Sequence, residues 1–358
     1  EVVISELDST ANISDVPLKQ LLHSVVAEQW WSYYQDNRWQ ILDRTNLSEA
    51  SDDPETWDQA TFMRKVVAEY AASLEPADRL AKIPVGELGS LLLEQRSDTA
   101  LRPTLFDVLA HRALNVFENS ETRLSEPAWR FQLESPKAFA LPQEFVTADF
   151  STRDSAAWEW QALQIYQRLS ALHIADGRSA ALTDITLERL TFARAHSTLS
   201  NKDSLYLNAL QAFSATLPVG EEQSAVKLAI AQWHAEQAGN YQRLSPDSAW
   251  KWERKTAVDI CAELASHKQQ PFATKRAKAL LAQWTQPALQ MNTEEAVTPD
   301  LPFRITLSST TTSHVWLRIV QDHNGKRGRN NYRNPDELKR ILRLPALREW
   351  NVALPDDG

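Results

Sequence analysis

Glycine is scarce in this chain: 8 residues among 358, where ordinary usage would supply about 25. Tight β-turns and phosphate-cradling loops both draw on glycine, so the shortage favours helices joined by short connections. Cysteine is scarcer still. With Cys261 alone, no internal disulfide and no cysteine-based metal cluster can form. That suits a cytoplasmic protein or a periplasmic one that does without disulfides. The chain also lacks any apolar run of about 18 residues, so no transmembrane segment is expected. It lacks a basic excess: 38 Lys and Arg against 47 Asp and Glu leave a net charge of −9. An acidic chain repels phosphate backbones, and nucleic acid is not an expected partner. No signal peptide stands at the start. The chain opens on Glu1-Val2-Val3-Ile4, read here as an internal start from which a signal could have been removed.

Catalytic motifs are missing as well. There is no phosphate-loop pattern, no dinucleotide glycine fingerprint and no His-Glu-x-x-His zinc motif. The eight histidines, at 23, 111, 173, 196, 234, 267, 314 and 323, have no His or Cys neighbours at metal-ligand spacing. The expectation is a protein that is not an enzyme and holds no cofactor or metal. The 13 Trp residues argue against disorder, because such large apolar surfaces need burial.

What the chain does contain is helical periodicity. Pro17 can sit in a first helical turn. Leu18, Leu22, Val26, Trp30 and Tyr33 then recur at steps of four and three, which places them on one helix face. Asp53-Pro54 reads as an N-cap and first helical residue, followed by a stripe of Met63, Val67, Tyr70 and Leu74. Pro103 opens a helix with Leu105, Leu109, Ala113 and Val116 on one side. Periodicity fails from Asn119 to Phe150, where prolines recur. That stretch reads as a long connection over neighbouring helices, or as missed short elements. Asp154 reads as the cap of a helix striped by Trp158, Ala162, Ile165, Leu169 and Leu172 and ended by Gly177. Five further helices follow at 184–196, 203–216, 221–239, 247–267 and 272–287. The fold class expected is mainly α, with stacked helical hairpins in the manner of an α-solenoid. Ala229 to Ala265 has a tetratricopeptide flavour.

The period then changes. A helical domain over 1–291, with a sub-boundary near 119–153, is expected to give way to a linker at 292–302. Beyond it, Phe303, Ile305 and Leu307 alternate with polar residues, as do Val315, Leu317 and Ile319, predicting two antiparallel strands. Trp350, Val352 and Leu354 predict a third. Three strands do not make a sandwich, so 303–358 reads as an incomplete β module.

Few residues suggest a site. The aromatic run Trp30, Trp31, Tyr33, Tyr34 and Trp39 could form a platform for a peptide or carbohydrate, or a core stripe. The loop carrying Lys326, Arg327, Arg329 and Arg333 could grip an anionic partner or be a solvated turn. The candidate interaction surface is therefore Trp30, Trp31, Tyr34, Trp39, Lys326, Arg327 and Arg329. His111 lies four residues after Asp107, so the two can pair on one helix face, as packing or as part of a site. Cys261-Ala262-Glu263-Leu264 sits in an amphipathic stretch and lacks the glutamine and glycine-flanked turn of a thioester, so Cys261 reads as a buried small residue.

Several stretches, in order, resemble one family. They are Leu21-Leu22-His23-Ser24, Trp31-Ser32-Tyr33-Tyr34-Gln35-Asp36-Asn37-Arg38-Trp39 and Glu55-Thr56-Trp57-Asp58. Arg102-Pro103-Thr104-Leu105-Phe106-Asp107, Leu109-Ala110-His111-Arg112-Ala113-Leu114, Ala138-Phe139-Ala140 and Asn201-Lys202-Asp203 follow. Trp316-Leu317-Arg318-Ile319 and the run from Glu349 to Gly358 complete the set. Together they resemble the helical region that precedes the β-sandwiches of large bacterial alpha-2-macroglobulin-like proteins. The resemblance implies a periplasmic or envelope-associated parent, often lipid-anchored, that traps endopeptidases. It implies protein partners: the remaining macroglobulin domains, proteases or envelope proteins. It carries no functional residue onto this chain, because neither a bait region nor a thioester motif is identifiable. The alternative expectation is a tetratricopeptide-like adaptor that binds a peptide or partner protein.

Overall fold

A computed structural model of the chain describes residues 2–44, 53–89, 99–119, 130–154, 157–242, 249–266, 271–294, 296–298, 301–322 and 335–354. The architecture is mainly helical with a small antiparallel β region near the C-terminus, as the periodicities predict. The chain divides into two compact units, residues 1–230 and 231–358. The division falls inside a helix, not at the expected 291/292 boundary. No helix among the described residues is long and apolar enough to cross a membrane.

The first unit begins with α1 (Val2–Ile13) and α2 (Leu18–Leu42), then α3 (Gln59–Ser73). Pro17 stands before the first residue of α2, where its missing N–H costs nothing. Asp53 accepts from the Glu55 amide at 3.0 Å as expected, but it caps a short 3-10 turn, Pro54–Thr56. The α-helix itself waits for Asp58, whose carboxylate accepts from the Thr61 amide at 2.8 Å. A short α4 (Ala77–Leu80) leads to α5 (Leu105–Phe117), whose expected stripe of Leu105, Leu109, Ala113 and Val116 is buried. α5 packs on α2.

The aperiodic stretch is not a surface connection where it is described. Residues 130–150 hold a 3-10 turn at Pro136–Phe139 and α6 (Pro142–Phe145). Leu133, Phe139, Phe145 and Phe150 are buried. Neighbouring helices supply hydrogen bonds to its backbone. The Gln167 amide donates to the carbonyls of Phe145 (2.9 Å) and Ala148 (2.7 Å), and the Trp160 indole donates to that of Phe150 (2.6 Å). A backbone bonded by side chains leaves no periodic signature, which is why this core segment is silent in the sequence.

Next come α7 (Trp158–Asp176), α8 (Ser179–His196), α9 (Lys202–Thr216) and α10 (Glu221–Gln237). Asp154 does not cap α7, which starts after Ala157. The Asp154 carboxylate instead accepts from the Phe131 amide at 3.4 Å. Gly177 ends α7 at φ +66°, the left-handed conformation that costs glycine least. Gly177→Ala is expected to lower stability by about 1 kcal/mol through that backbone angle alone, since nothing lies within 4 Å of the added methyl. Urea unfolding would measure it, and an unchanged midpoint would refute it. Consecutive helices pack on one another (α1 on α2, α2 on α3, α7 on α8, α8 on α9), the neighbour pattern of stacked hairpins. α5 interrupts it by reaching both α2 and α7.

The second unit contains α11 (Glu253–Ser266) packed on α12 (Pro271–Trp284), with Ala257, Cys261 and Leu264 buried as read from the sequence. Burial pushes the Cys261 thiol up to about 11, which leaves it an inert apolar group. Then come β1 (Ala288–Thr293), β2 (Ile305–Thr310), β3 (His314–Val320), α13 (Pro335–Leu342) and β4 (Ala346–Ala353). The expected linker opens in a strand, because β1 covers 288–293. The strands at 305–310 and 314–320 also do not pair with each other. β2 pairs with β1 (Met291 opposite Leu307) and β3 with β4 (Leu317 opposite Trp350). The chain changes ribbon between Thr310 and His314, where Thr311 takes φ 52°. The alternation of Leu289 and Met291 was obscured by the helix running into it.

Candidate functional site

The expected aromatic platform is core. Trp30 and Trp31 are 6% and 7% exposed and Tyr34 is 1%. Trp30 lies on Trp57 with ring centroids 4.9 Å apart. Trp31 stacks on Tyr34 at 5.5 Å and meets Trp158 edge-on at 5.0 Å. Gln59 donates to the Tyr34 hydroxyl at 3.1 Å. These rings carry too much apolar area for α2 to leave in water once α3 and α7 are present. Trp39 alone of the four is a surface residue, 72% exposed, with the Arg38 guanidinium 4.9 Å from its ring centroid. Lys326, Arg327 and Arg329 lie outside the described residues.

The polar chemistry collects elsewhere, where α5, α7 and α8 meet. Asp107 occupies the third position of α5 and closes a capping box with Thr104. Its carboxylate accepts from the Thr104 amide at 2.9 Å and the Thr104 hydroxyl at 2.6 Å. The expected Asp107–His111 pair does form, but through the backbone. His111 Nδ1 lies 2.7 Å from the Asp107 carbonyl oxygen. The Asp107 carboxylate turns instead to His173 on α7, with Nε2 2.9 Å from Oδ1, an ion-pair distance outside hydrogen-bond geometry. Burial of Asp107 works against its charge, yet His173 and Thr104 together hold its carboxyl below the usual carboxylate range.

The other ring nitrogen of His111 faces α8. Nε2 is 3.3 Å from Glu188 Oε2, and Arg102 reaches the second oxygen of Glu188 at 3.4 Å. Burial again disfavours the charge on Glu188, and His111 and Arg102 outweigh it, so this carboxyl too is lowered. Asp184, one turn before Glu188 on α8, joins His111 and Glu188 in a group whose donor atoms all lie within 4.8 Å of one another. A second such group is Asp8, His23 and Glu69. There His23 Nδ1 is 2.7 Å from one oxygen of Glu69, and the Lys65 ammonium is 2.9 Å from the other.

Nearby, α7 supplies Tyr166, whose hydroxyl donates to Glu118. Burial, with Glu118 adding to it, holds the phenol well above its ordinary range. α8 supplies Arg189, 1% exposed, whose guanidinium donates to the carbonyls of Ala138 (2.6 Å) and Ala140 (2.8 Å) and sits 4.1 Å from the Phe145 ring centroid. The Arg189 contacts join the aperiodic segment to α8.

Of these groups, Asp107 and His111 carried a local signal, their four-residue spacing, and Asp184 and Glu188 share that spacing. His173, Asp184, Glu188 and Arg189 reach the network across intervals of about 50 to 80 residues. A single sequence holds no register for such pairings. Comparison with protein-family models, with curated proteins and with solved structures returned no match for this chain.

Proposed function

We propose that the chain is a non-catalytic scaffold and interaction module of an alpha-2-macroglobulin-like protein of the periplasm or outer envelope, whose parent traps endopeptidases. The ordered resemblance from Leu21 to Gly358 motivates this reading. The structural observation that supports it is the pair of two-stranded ribbons in residues 288–353. Leu289, Met291, Trp316 and Leu347 lie on them, each more than half exposed (51%, 53%, 71% and 68%). Two-stranded ribbons are marginal in water by themselves. Exposed strand edges flanked by apolar side chains are surfaces that pair with or are covered by another protein. The partners in this reading are macroglobulin domains of the parent, a protease or an envelope protein.

The network at α5, α7 and α8 fits the same reading. Its carboxylates and imidazoles lie against one another, against Thr104 and Arg102 and against backbone, which is how a helical scaffold fixes its own register. The chain is expected to show no hydrolytic activity, not to inhibit a panel of endopeptidases and not to become covalently attached to them. Inhibition of any of these proteases by this chain alone would overturn the assignment. A tetratricopeptide-like adaptor would present exposed aromatic rings along a peptide groove, and the burial of Trp30, Trp31 and Tyr34 leaves that reading without them.

A further inference from the structure

We propose that His111, Asp184 and Glu188 form a binding site for a divalent first-row transition cation, with zinc the best chemical fit, that ties α5 to α8. The argument starts from the tautomer of His111. Its Nδ1 faces a carbonyl oxygen at 2.7 Å. A carbonyl only accepts, so the proton sits on Nδ1. In the neutral ring Nε2 then carries a lone pair. That lone pair points at Glu188 Oε2, 3.3 Å away, which is another acceptor. Two acceptors face each other in a site where Nε2 is buried without a hydrogen-bond partner and His111 is 5% exposed. Something positive is required between them. A second proton on the ring is one answer, and a cation is the other.

Three features favour the cation. The first is the distances. Ligand atoms about 2.0 to 2.1 Å from a tetrahedral ion are about 3.3 Å from each other. The Nε2 to Oε2 separation is that edge, while a charge-assisted hydrogen bond would draw the two atoms to about 2.8 Å. The second is a third donor close by. Asp184 and Glu188 are four apart on α8, hence on one face, and all three donor atoms lie within 4.8 Å of one another. The third is an outer shell already in place. A ligating imidazole usually gives its other N–H to a carbonyl, as His111 does to Asp107, and a ligating carboxylate is itself bonded, as Glu188 is to Arg102. The imidazole selects against magnesium and calcium, which take oxygen ligands. One coordination position is left for water. Glu188, with its side chain 34% exposed, gives the ion a way in.

The Asp8, His23 and Glu69 group does not support the same inference. There His23 and Lys65 close on the two oxygens of Glu69 at 2.7 and 2.9 Å, shorter than the 3.3 and 3.4 Å at Glu188, so that carboxylate is already fully engaged.

The test uses the whole chain stripped with a chelator and titrated with zinc chloride by calorimetry, with cobalt(II) absorption as a reporter of ligand geometry. One site per chain is expected, with tetrahedral-type cobalt bands. Asp184→Asn and Glu188→Gln are each expected to weaken zinc binding by roughly 100-fold while circular dichroism stays unchanged. Should Glu188→Gln fail to fold, Asp184→Asn still decides the matter. No binding would overturn the proposal. So would binding that survives both substitutions, or binding that is lost instead in Glu69→Gln.

Discussion

Arg189→Ala is expected to lower the stability of the residue 1–230 unit by about 3–5 kcal/mol. The guanidinium is buried with no carboxylate on it among the described residues. Desolvation pulls it down to about 9, partly offset by Tyr166, so it remains charged at neutral pH. Its charge is balanced by two carbonyl dipoles, at Ala138 and Ala140, and by the face of Phe145. Truncation removes both bonds, leaves the buried Ala138 carbonyl and the half-buried Ala140 carbonyl without them, and opens a cavity against Phe145. Arg189→Met retains most of the stem volume and loses the bonds, so it is expected to recover only the packing share. Urea unfolding followed by tryptophan fluorescence measures both. The segment 136–145 should also exchange its amide hydrogens faster in the variant. A loss of less than about 1 kcal/mol in Arg189→Ala would mean that the segment is held by its apolar side chains alone.

Asp107→Ala is expected to cost a similar amount, about 3–5 kcal/mol, because it breaks a buried pair and a capping box together. Thr104 loses its reciprocal acceptor, and His173, 1% exposed, loses the carboxylate 2.9 Å from its Nε2. The loss carries a pH signature. The folded-state pKa of Asp107 is lowered from its ordinary value. A carboxyl of that kind contributes stability that is fully present above its unfolded pKa of about 3.9 and is lost as pH falls through the folded value. Glu188 has the same sign. The gap between the parent and Asp107→Asn is therefore expected to be constant from pH 7 to about 5 and to narrow below about 4. Unfolding at stepped pH, with a chelator present throughout, would show it. A gap that stays constant down to acid would mean that the carboxylate charge contributes nothing and only the cap geometry matters.

Legibility in the sequence tracked the range of the interaction. The α5 stripe, the Gly177 stop, the Pro17 start and the buried Cys261 each depend on residues within a few turns of one another, and each was readable. Asp53 and Asp58 show the limit of that reading. Both are cap residues, and only the three-dimensional path decides which one opens a 3-10 turn and which a true helix. The aromatic run of α2 was readable as a stripe but ambiguous as to purpose. Trp31 meets Trp158 across more than a hundred residues, and nothing local announces that contact. Asp154 failed as a cap for a related reason: a distant amide, that of Phe131, competes for its carboxylate. The strand partners are not legible because only three residues separate β1 from the end of α12 and its alternation is only two apolar residues long.

By itself, then, the sequence determined the mainly helical class, the switch to strands near the C-terminus and the absence of familiar catalytic motifs. Those follow from composition and from periods of 3.6 and 2, which the backbone imposes residue by residue. Only the tertiary structure decided that 130–150 belongs to the core and that β1 pairs with β2. It alone brought His173, Asp184 and Glu188 together with Asp107 and His111 of α5. Each of those outcomes joins groups distant in the chain, and the energy that selects them arises only when the helices have packed and excluded water.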